Sequence, residues 1–265
     1  MKLAAVGDNC MDVYDGTGEA YPGGNPVNVA VYFVRMGGEA SYTGVVGTDK
    51  YGALMRESVA AKGVDVSTVR TEAGNTAITH VELVNGDRVL GDYEEGVLAD
   101  FRLTDDQRKY LCRQKMVVTG LWGNVHNDLA KIRAAGALVA FDAATRPEDE
   151  AARIAIPATD YLFFSSDDGD TPELRAKMKE IHSRGPKVVV ATLGDQGSLA
   201  YDGKEFTSFG IFPAEQVVNT VGAGDSFIAG FLYGILQGWP VEACLRKGAE
   251  VAAQVVQVFE PWVNA

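Results

Sequence analysis

The sequence has few of the residues that build disulfide frameworks and metal sites. Its three cysteines, Cys10, Cys112 and Cys244, are far apart in the chain, and none belongs to a C-x-x-C pair. Its three histidines show no metal-ligand spacing. A chain of 265 residues is long enough to bury a core of its own. We therefore expect reduced thiols and no structural metal.

Basic residues and long apolar runs are also scarce. Lysine and arginine number 24 against 36 aspartates and glutamates, which gives a formal net charge of −12. So acidic a surface disfavours nucleic acid polymers and anionic membranes as partners. No window approaches the ~18 uncharged apolar residues of a membrane span, and residues 1–12 lack the apolar stretch of a signal peptide. We expect a cytoplasmic protein with no nucleic acid or membrane partner.

Three common nucleotide-binding signatures are absent. The sequence contains no G-x-x-x-x-G-K-[ST] loop, no G-x-G-x-x-G after the first predicted strand and no protein-kinase motif set. Glycine itself is abundant, at 30 of 265 residues, against about 7% in an average protein. Because these glycines follow no collagen-like period, they are expected at particular turns and binding loops.

The hydrophobic pattern predicts an α/β fold in a single domain covering residues 1–265. A strand over 3–6, a helix following residue 25, a strand over 40–46 and a helix over 51–61 open the chain. Strands and helices then alternate again from residue 116. The later predicted strands are 116–119, 137–142, 161–164, 187–192, 198–201 and 205–209, and the later predicted helices include 128–135, 172–183, 223–236 and 241–258.

One region interrupts this alternation. Residues 76–84 and 88–93 are rich in β-forming residues, with no helix between them, and Asn85-Gly86 joins them. Asn-Gly is the dipeptide favoured in tight hairpin turns. The pattern predicts an antiparallel flap inserted in the α/β fold.

The densest cluster of glycines in the C-terminal half is NTVGAGDSF, residues 219–227, which leads into an apolar helix. Free backbone N–H groups and the helix dipole at such a position bind an anion without a lysine. Asp225 would repel a bound phosphate, but it fits a base that takes a proton from an attacking hydroxyl. A plain N-cap after a glycine turn is the alternative interpretation, and the spacing alone leaves both open.

Four segments together resemble the PfkB/ribokinase carbohydrate kinases, in the order and spacing of that family. They are GGNPVNVA (23–30), GVVGTDKYG (44–52), TLGDQG (192–197) and NTVGAGDSFIAG (219–230). The resemblance implies a ribokinase-like three-layer α/β/α sandwich with a small antiparallel β lid. Residues 76–96 would form most of the lid, together with residues 12–22. It also implies ATP as co-substrate, Mg²⁺, and a homodimer paired through the lid.

The resemblance also assigns roles to individual residues. Asp225 would be the catalytic base, and the backbone of Gly222, Ala223 and Gly224 would form the anion hole. Three residues would bind the sugar: Asp12, expected at the end of the first strand, Gly24 and Asn28. Four residues would bind the nucleotide: Thr192, Gly194, Gly197 and Ala249.

Two positions depart from the family pattern. Residues 165–168 read Ser-Ser-Asp-Asp where relatives carry N-x-x-E, so Asp168 replaces the glutamate that organises Mg²⁺ through water. Asn219 stands where many relatives have an aspartate near a monovalent-cation site. A monovalent cation therefore stays an open expectation.

The short chain and its GDNCMDVY segment are most similar to family members that act on fructosamines. The expected reaction transfers the γ-phosphoryl group of ATP to the 6-hydroxyl of a fructosamine. Fructose, another sugar or a nucleoside is the alternative substrate, whereas the absence of basic residues between Asp12 and Asn28 disfavours a sugar phosphate. A non-catalytic sugar or nucleotide sensor on the same fold is the non-enzyme alternative, and the intact GAGD segment disfavours it.

Overall fold

The computed structural model describes residues 2–84, 87–258 and 262. The strands are β1 (Lys2–Val6), β2 (Cys10–Tyr14), β3 (Ala20–Gly23), β4 (Glu39–Thr43), β5 (Val45–Gly47), β6 (Arg70–Glu72), β7 (Ile78–Val84), β8 (Asp87–Glu94), β9 (Met116–Gly120), β10 (Leu138–Asp142), β11 (Tyr161–Ser165), β12 (Val188–Thr192), β13 (Ser198–Tyr201) and β14 (Phe206–Phe209). The α-helices are α1 (Asn25–Arg35), α2 (Lys50–Ala61), α3 (Asp105–Leu111), α4 (Leu129–Ala134), α5 (Glu150–Ala155), α6 (Pro172–Ser183), α7 (Ala223–Gln237) and α8 (Val241–Val255).

The central sheet has eight strands in the order β14-β13-β12-β11-β10-β9-β1-β4. The six strands from β12 to β4 in this order run parallel, and β13 and β14 add an antiparallel edge. Apolar side chains of α1, α2, α7 and α8 pack on one face of the sheet. Those of α3, α4, α5 and α6 pack on the other face. The predicted three-layer α/β/α sandwich is therefore confirmed.

A smaller sheet has the order β3-β2-β7-β8. The two strands predicted for the flap correspond to β7 and β8, which are antiparallel, while the predicted turn Asn85-Gly86 lies outside the described residues. One expectation for the first part of this sheet was wrong. The first strand ends at Val6, so Asp12 lies in β2, opposite Tyr21 of β3. Residues 20–23 form the outer strand β3, where Pro22 is tolerated because an edge strand leaves one side without a partner.

The predicted strand over residues 40–46 is also corrected, because the chain changes sheet at Gly44. β4 belongs to the central sheet, whereas β5 pairs with β6 in a separate two-stranded sheet. The hydroxyl of Tyr42 donates a hydrogen bond to the carbonyl of Gly7 over 2.7 Å. A Cβ atom on residue 44 would collide with that hydroxyl, so this break in the strand requires glycine.

The carboxyl ends of the parallel strands all lie at one end of the central sheet. We call this the ligand-binding edge, because ligands bind outside the carboxyl ends of the strands in open α/β folds. Two helices begin at the same edge. Gly24 precedes α1 at φ 112°, and a Cβ atom there would lie 2.7 Å from Cα of Asn9. Gly222 precedes α7 in the left-handed conformation, at φ 80°. Among the residues with described structure, no helix has the length and apolar character needed to cross a bilayer.

A buried aspartate ties the middle of the central sheet together. Asp160, which is 2% exposed, accepts a hydrogen bond from the backbone N–H of Val139 at 2.9 Å. Arg133 of α4 and Lys187 each pair with its Oδ1 at 3.1 Å. The carboxylate therefore connects β10 with Lys187, the residue before β12. These two strands end at Asp142 and Thr192, at the ligand-binding edge.

We predict that Asp160→Ala lowers the free energy of unfolding by about 3 kcal/mol, because it leaves the buried N–H of Val139 without its acceptor and removes the carboxylate that pairs with Arg133 and Lys187. The measurement is urea denaturation followed by circular dichroism. The control is Asp170→Ala, which removes the same charge from an exposed pair with Arg175 and should cost less than about 1 kcal/mol. Equal losses in the two variants would contradict this role of Asp160.

Candidate active site

The side chain of Asp225 is held on both oxygens by two asparagines of α1. Asn25 Nδ2 donates to Asp225 Oδ1 over 2.7 Å, and Asn28 Nδ2 donates to Asp225 Oδ2 over 2.7 Å. Positions three apart on a helix lie on the same face, which is why one helix supplies both donors. The carboxylate, in the first turn of α7, is thus fixed in both position and orientation.

Two further carboxylates lie beside the same asparagine. Asn25 Nδ2 also donates to Asp142 Oδ2, over 2.8 Å, and the backbone N–H of Asn25 donates to Asp8 Oδ2, over 3.2 Å. The other oxygen of Asp8 and the amide oxygen of Asn25 are buried without a hydrogen-bond partner. Within the described part of the chain, no lysine, arginine or histidine forms an ion pair with Asp8, Asp142 or Asp225.

Burial of these uncompensated charges changes their acidity. Loss of solvation raises the pKa of Asp8 to about 6, and loss of solvation together with the charge of Asp225 raises the pKa of Asp142 to about 7. Burial also raises the pKa of Asp225, while the hydrogen bonds from Asn28 and Asn25 oppose that rise. A carboxylate with a raised pKa accepts a proton more readily than an ordinary one, as a general base must.

The turn before Asp225 presents backbone rather than side chains. Gly222 caps α7 with no side-chain hydrogen bond, so the helix N-terminus is available to an anion. The N–H of Ala223 donates to the Thr220 carbonyl over 3.1 Å. A Cβ atom on Gly222 would lie 4.0 Å from Asn28 Nδ2, which places the turn beside the asparagine that holds Asp225.

A cavity of about 760 Å³ opens next to this turn. The residues expected to bind nucleotide all line it, together with two residues of the anion turn: Thr192, Gly194, Gly197, Ala249, Ala223 and Gly224. Phe212, Phe227 and Ala252 add apolar surface. On the polar side, the hydroxyls of Ser165 and Thr192 are hydrogen-bonded over 2.8 Å. An apolar wall facing polar groups suits a flat heterocycle with a polar tail.

Of the remaining predicted residues, Asp12 and Asp168 lie apart from this group, whereas Asn219 lies directly before the turn. Asp12 is in β2 of the smaller sheet, where the Cys10 thiol donates to its Oδ1 over 3.7 Å. Asp168 is exposed and does not line the cavity, whereas the neighbouring Asp167 does. The side-chain oxygen of Asn219 accepts a hydrogen bond from the backbone N–H of Val221 over 3.0 Å, which helps to shape the turn before α7.

Sequence reasoning missed four residues of the site: Asp8, Asn25, Asp142 and Trp262. Asn25 stands in the quoted GGNPVN segment, three residues before Asn28, and the helical spacing could have identified it. Asp8 and Asp142 follow or end strands at the ligand-binding edge, which is a weaker signal. Trp262, whose indole N–H donates to Asn28 Oδ1 over 2.9 Å, carries no signal in the sequence.

A held carboxylate, a helix N-terminus and a nucleotide-sized cavity, side by side at one edge of an α/β sandwich, fit a phosphotransferase that acts on a hydroxyl group. The comparisons with known proteins define the family. The sequence profile described as "pfkB family carbohydrate kinase" matches residues 3–261. The chain belongs to the PfkB family of carbohydrate kinases.

Individual relatives agree with this assignment. The chain is 41% identical over 260 residues to the fructoselysine 6-kinase of Escherichia coli strain K12, covering 98% of this chain and 99% of that protein. It is 34% identical to the fructosamine kinase FrlD of Bacillus subtilis strain 168, over 98% and 92% of the two chains. Among solved structures, Arabidopsis thaliana ribokinase complexed with ribose and ATP superposes with a TM-score of 0.86 at 25% identity, over 97% and 93% of the chains.

The electrostatics of the site predict that Asp142→Asn stabilises the protein at alkaline pH. The pKa of Asp142 is raised to about 7 by burial and by Asp225, so the folded state takes up a proton that the unfolded state lacks between about pH 4 and pH 7. The stability of the unsubstituted protein therefore falls as pH rises through this window. We expect the variant to melt a few degrees higher at about pH 8, with the difference shrinking toward about pH 5.

The control for this experiment has the opposite sign. Backbone N–H groups of Glu205 and Lys204 lower the pKa of Asp202, so its ionised form stabilises the fold. Asp202→Asn should lower the melting temperature at about pH 8 and matter less in acid. Parallel pH dependence of the two variants in differential scanning calorimetry would contradict the raised pKa of Asp142.

Proposed function

We propose that the chain is an ATP-dependent kinase that phosphorylates the 6-hydroxyl of a fructosamine such as fructoselysine. The observation that carries this proposal is Asp225, held by Asn25 and Asn28 directly after the glycine turn whose residues Ala223 and Gly224 line the cavity. The substrate is inferred from the relatives, because those of Escherichia coli and Bacillus subtilis are named for fructoselysine and fructosamine.

In this proposal Asp225 takes the proton of the attacking hydroxyl. A carboxylate has about four acceptor positions, and the two asparagines occupy one on each oxygen. A free position on either oxygen accepts the substrate proton while the sugar oxygen attacks the γ-phosphorus. The bond from that phosphorus to the bridging oxygen breaks, and ADP leaves. The N–H groups of residues 222–224 would stabilise the charge on the transferring group, for which the N–H of Ala223 would have to leave the Thr220 carbonyl.

The residues around the cavity fit a magnesium–nucleotide complex. Mg²⁺ in kinases is usually held by substrate phosphates, water and one or two carboxylates. Asp167 on the cavity wall supplies such a carboxylate, with Asp168 next to it in the chain. Among the described residues, no group of three or more acidic, histidine or cysteine side chains could hold a metal ion by itself. Mg²⁺ bound there would neutralise charge on the triphosphate.

The smaller sheet would serve as the lid over the sugar, with Asp12 accepting from sugar hydroxyls and Gly24 allowing close approach. Asn28 keeps one amide N–H that is not directed to Asp225, so it could also donate to substrate. A homodimer would form through the same sheet, where β3 and β8 are the outer strands and Tyr93 is 44% exposed. Water exclusion by the closed lid would protect ATP from hydrolysis.

The charge of the site favours a cationic sugar derivative over a sugar phosphate. Asp8, Asp142 and Asp225 lie together without a described cationic partner. A fructosamine carries an ammonium group, whose attraction to these carboxylates adds to binding, whereas a phosphate group would be repelled.

For the substrate, we predict a higher kcat/KM for fructoselysine than for fructose, ribose, tagatose 6-phosphate or nucleosides. The ammonium group should contribute about tenfold or more through charge complementarity. The measurement is ADP release by purified protein with ATP and Mg²⁺, with mass spectrometry of the phosphorylated product. A higher kcat/KM for fructose would overturn the fructosamine assignment and leave the kinase class intact.

For the base, we predict that Asp225→Asn lowers kcat by about 10²–10⁴-fold, since the amide cannot accept the proton. ATP binding, measured by isothermal titration calorimetry, should be retained. The matched control is Asp65→Asn, which makes the same change at an exposed residue outside the site and should leave kcat unchanged. Near-normal turnover by the Asp225 variant would exclude Asp225 as the base.

A further inference from the structure

We propose that Trp262 is a positioning residue for the reaction, acting on Asp225 through the side chain of Asn28. This inference rests on the proposed function of Asp225 as the base. The indole N–H of Trp262 donates to Asn28 Oδ1 over 2.9 Å, and Asn28 Nδ2 donates to Asp225 Oδ2 over 2.7 Å. The three side chains thus form one directed chain of hydrogen bonds that begins near the C-terminus.

The environment makes the indole donor more than an incidental contact. Trp262 is 5% exposed and packs in the same apolar cluster as α1 and α7, and Asn28 is also 5% exposed. A buried amide oxygen that has no hydrogen-bond donor loses its contact with water, and this loss destabilises the folded state. Trp262 supplies that donor, so the amide of Asn28 is satisfied on its oxygen side in one orientation only.

That orientation matters because the two ends of an amide have opposite character. With Oδ1 directed to the indole, Nδ2 points at Asp225 and donates to it. The flipped amide would direct its oxygen at the carboxylate and its N–H₂ group at the indole N–H, so both contacts would be repulsive. Trp262 therefore selects the orientation in which Asn28 stabilises the ionised form of Asp225.

Other groups also face Asp225, and they set the background of any pH effect. Asp8 lies after β1 and Asp142 ends β10, and Asp225 raises the pKa of both through like charge. Tyr32 of α1 also responds to the charge of Asp225, and Arg35 acts in the opposite direction on that tyrosine. Asn25 donates to the other oxygen of Asp225. None of these groups is changed by a substitution at Trp262.

The test is Trp262→Phe, which removes the N–H and keeps an aromatic ring in the cluster. We expect kcat to fall about tenfold, because a hydrogen bond to a charged group is weakened, while KM for ATP changes by less than about twofold. A weaker hydrogen bond from Asn28 raises the pKa of Asp225, so the acid limb of the kcat–pH profile should move to higher pH. The matched control is Trp239→Phe, at a 40% exposed residue between α7 and α8, which should leave kcat and the profile unchanged.

A double-mutant cycle separates action through Asn28 from a general loss of packing. If Trp262 acts through Asn28, Trp262→Phe should have little further effect on kcat in an Asn28→Ala background. Additive losses, or an unchanged pH profile in Trp262→Phe, would overturn the proposal. If Trp262→Phe unfolds at the assay temperature, benzothienylalanine is incorporated at position 262, which replaces the N–H with sulfur at nearly constant shape. The change in kcat and the pH profile of that variant then test the proposal in the same way.

A second readout does not depend on turnover. Carbon-13 NMR of the Asp225 carboxyl group should show a higher pKa in Trp262→Phe than in the unsubstituted protein, and no change in Trp239→Phe. If the unsubstituted protein phosphorylates no sugar, the proposed function fails, but this titration still decides the role of Trp262. An equal Asp225 pKa in all three proteins would overturn the positioning role even if the kinase activity is present.

Discussion

The hydrogen bonds from Asn25 and Asn28 to Asp225 join the two ends of the fold. Asn25 and Asn28 stand in the first helix, and Asp225 stands in the seventh, about 200 positions later in the chain. Helices α1 and α7 pack side by side on one face of the central sheet, and this packing brings the three side chains together. The central sheet is therefore the scaffold of the site, because both helices pack against it.

The charge of the protein and of its cavity limits how it could bind the anionic phosphate groups of a nucleotide. The chain carries a net charge of −12, and the cavity walls contain Asp167 and Asp195 but no lysine or arginine among the residues described. In the proposed function, phosphate binding would then rely on backbone N–H groups at the start of α7 and on a divalent cation. The carboxylates of Asp8 and Asp142 lie beside Asn25 instead, where burial and the charge of Asp225 raise their pKa values.

Sequence patterns predicted those parts of the structure that depend on local composition. The helix over 172–183 and the strand over 198–201 have the predicted bounds, since each is delimited by its own capping or turn residues. The family segments likewise located Asp225 and the glycine turn. The break at Gly44 was not predictable, because glycine is required there by the hydroxyl of Tyr42, which bonds to Gly7 directly after β1.

Contacts made only in the folded chain account for the other omissions. Asp8 and Asp142 belong to the site because β1 and β10 are separated by a single strand in the sheet, and strand order is not written in either segment. Trp262 meets Asn28 across 234 positions of sequence. Neither residue type nor spacing near position 262 distinguishes a buried indole with a polar partner from an ordinary apolar contact.

The connection between the two sheets gives the site a further physical constraint. The smaller sheet joins the rest of the fold near Asp8 at one end of β2 and near Asn25 at the end of β3. Gly7 and Gly24 stand at these links, with φ of 124° and 112°. Because Asn25 contacts Asp8, Asp142 and Asp225 at once, a displacement of the smaller sheet acts directly on the groups that hold Asp225. The position of the smaller sheet and the orientation of the Asp225 carboxylate are thus linked through one residue.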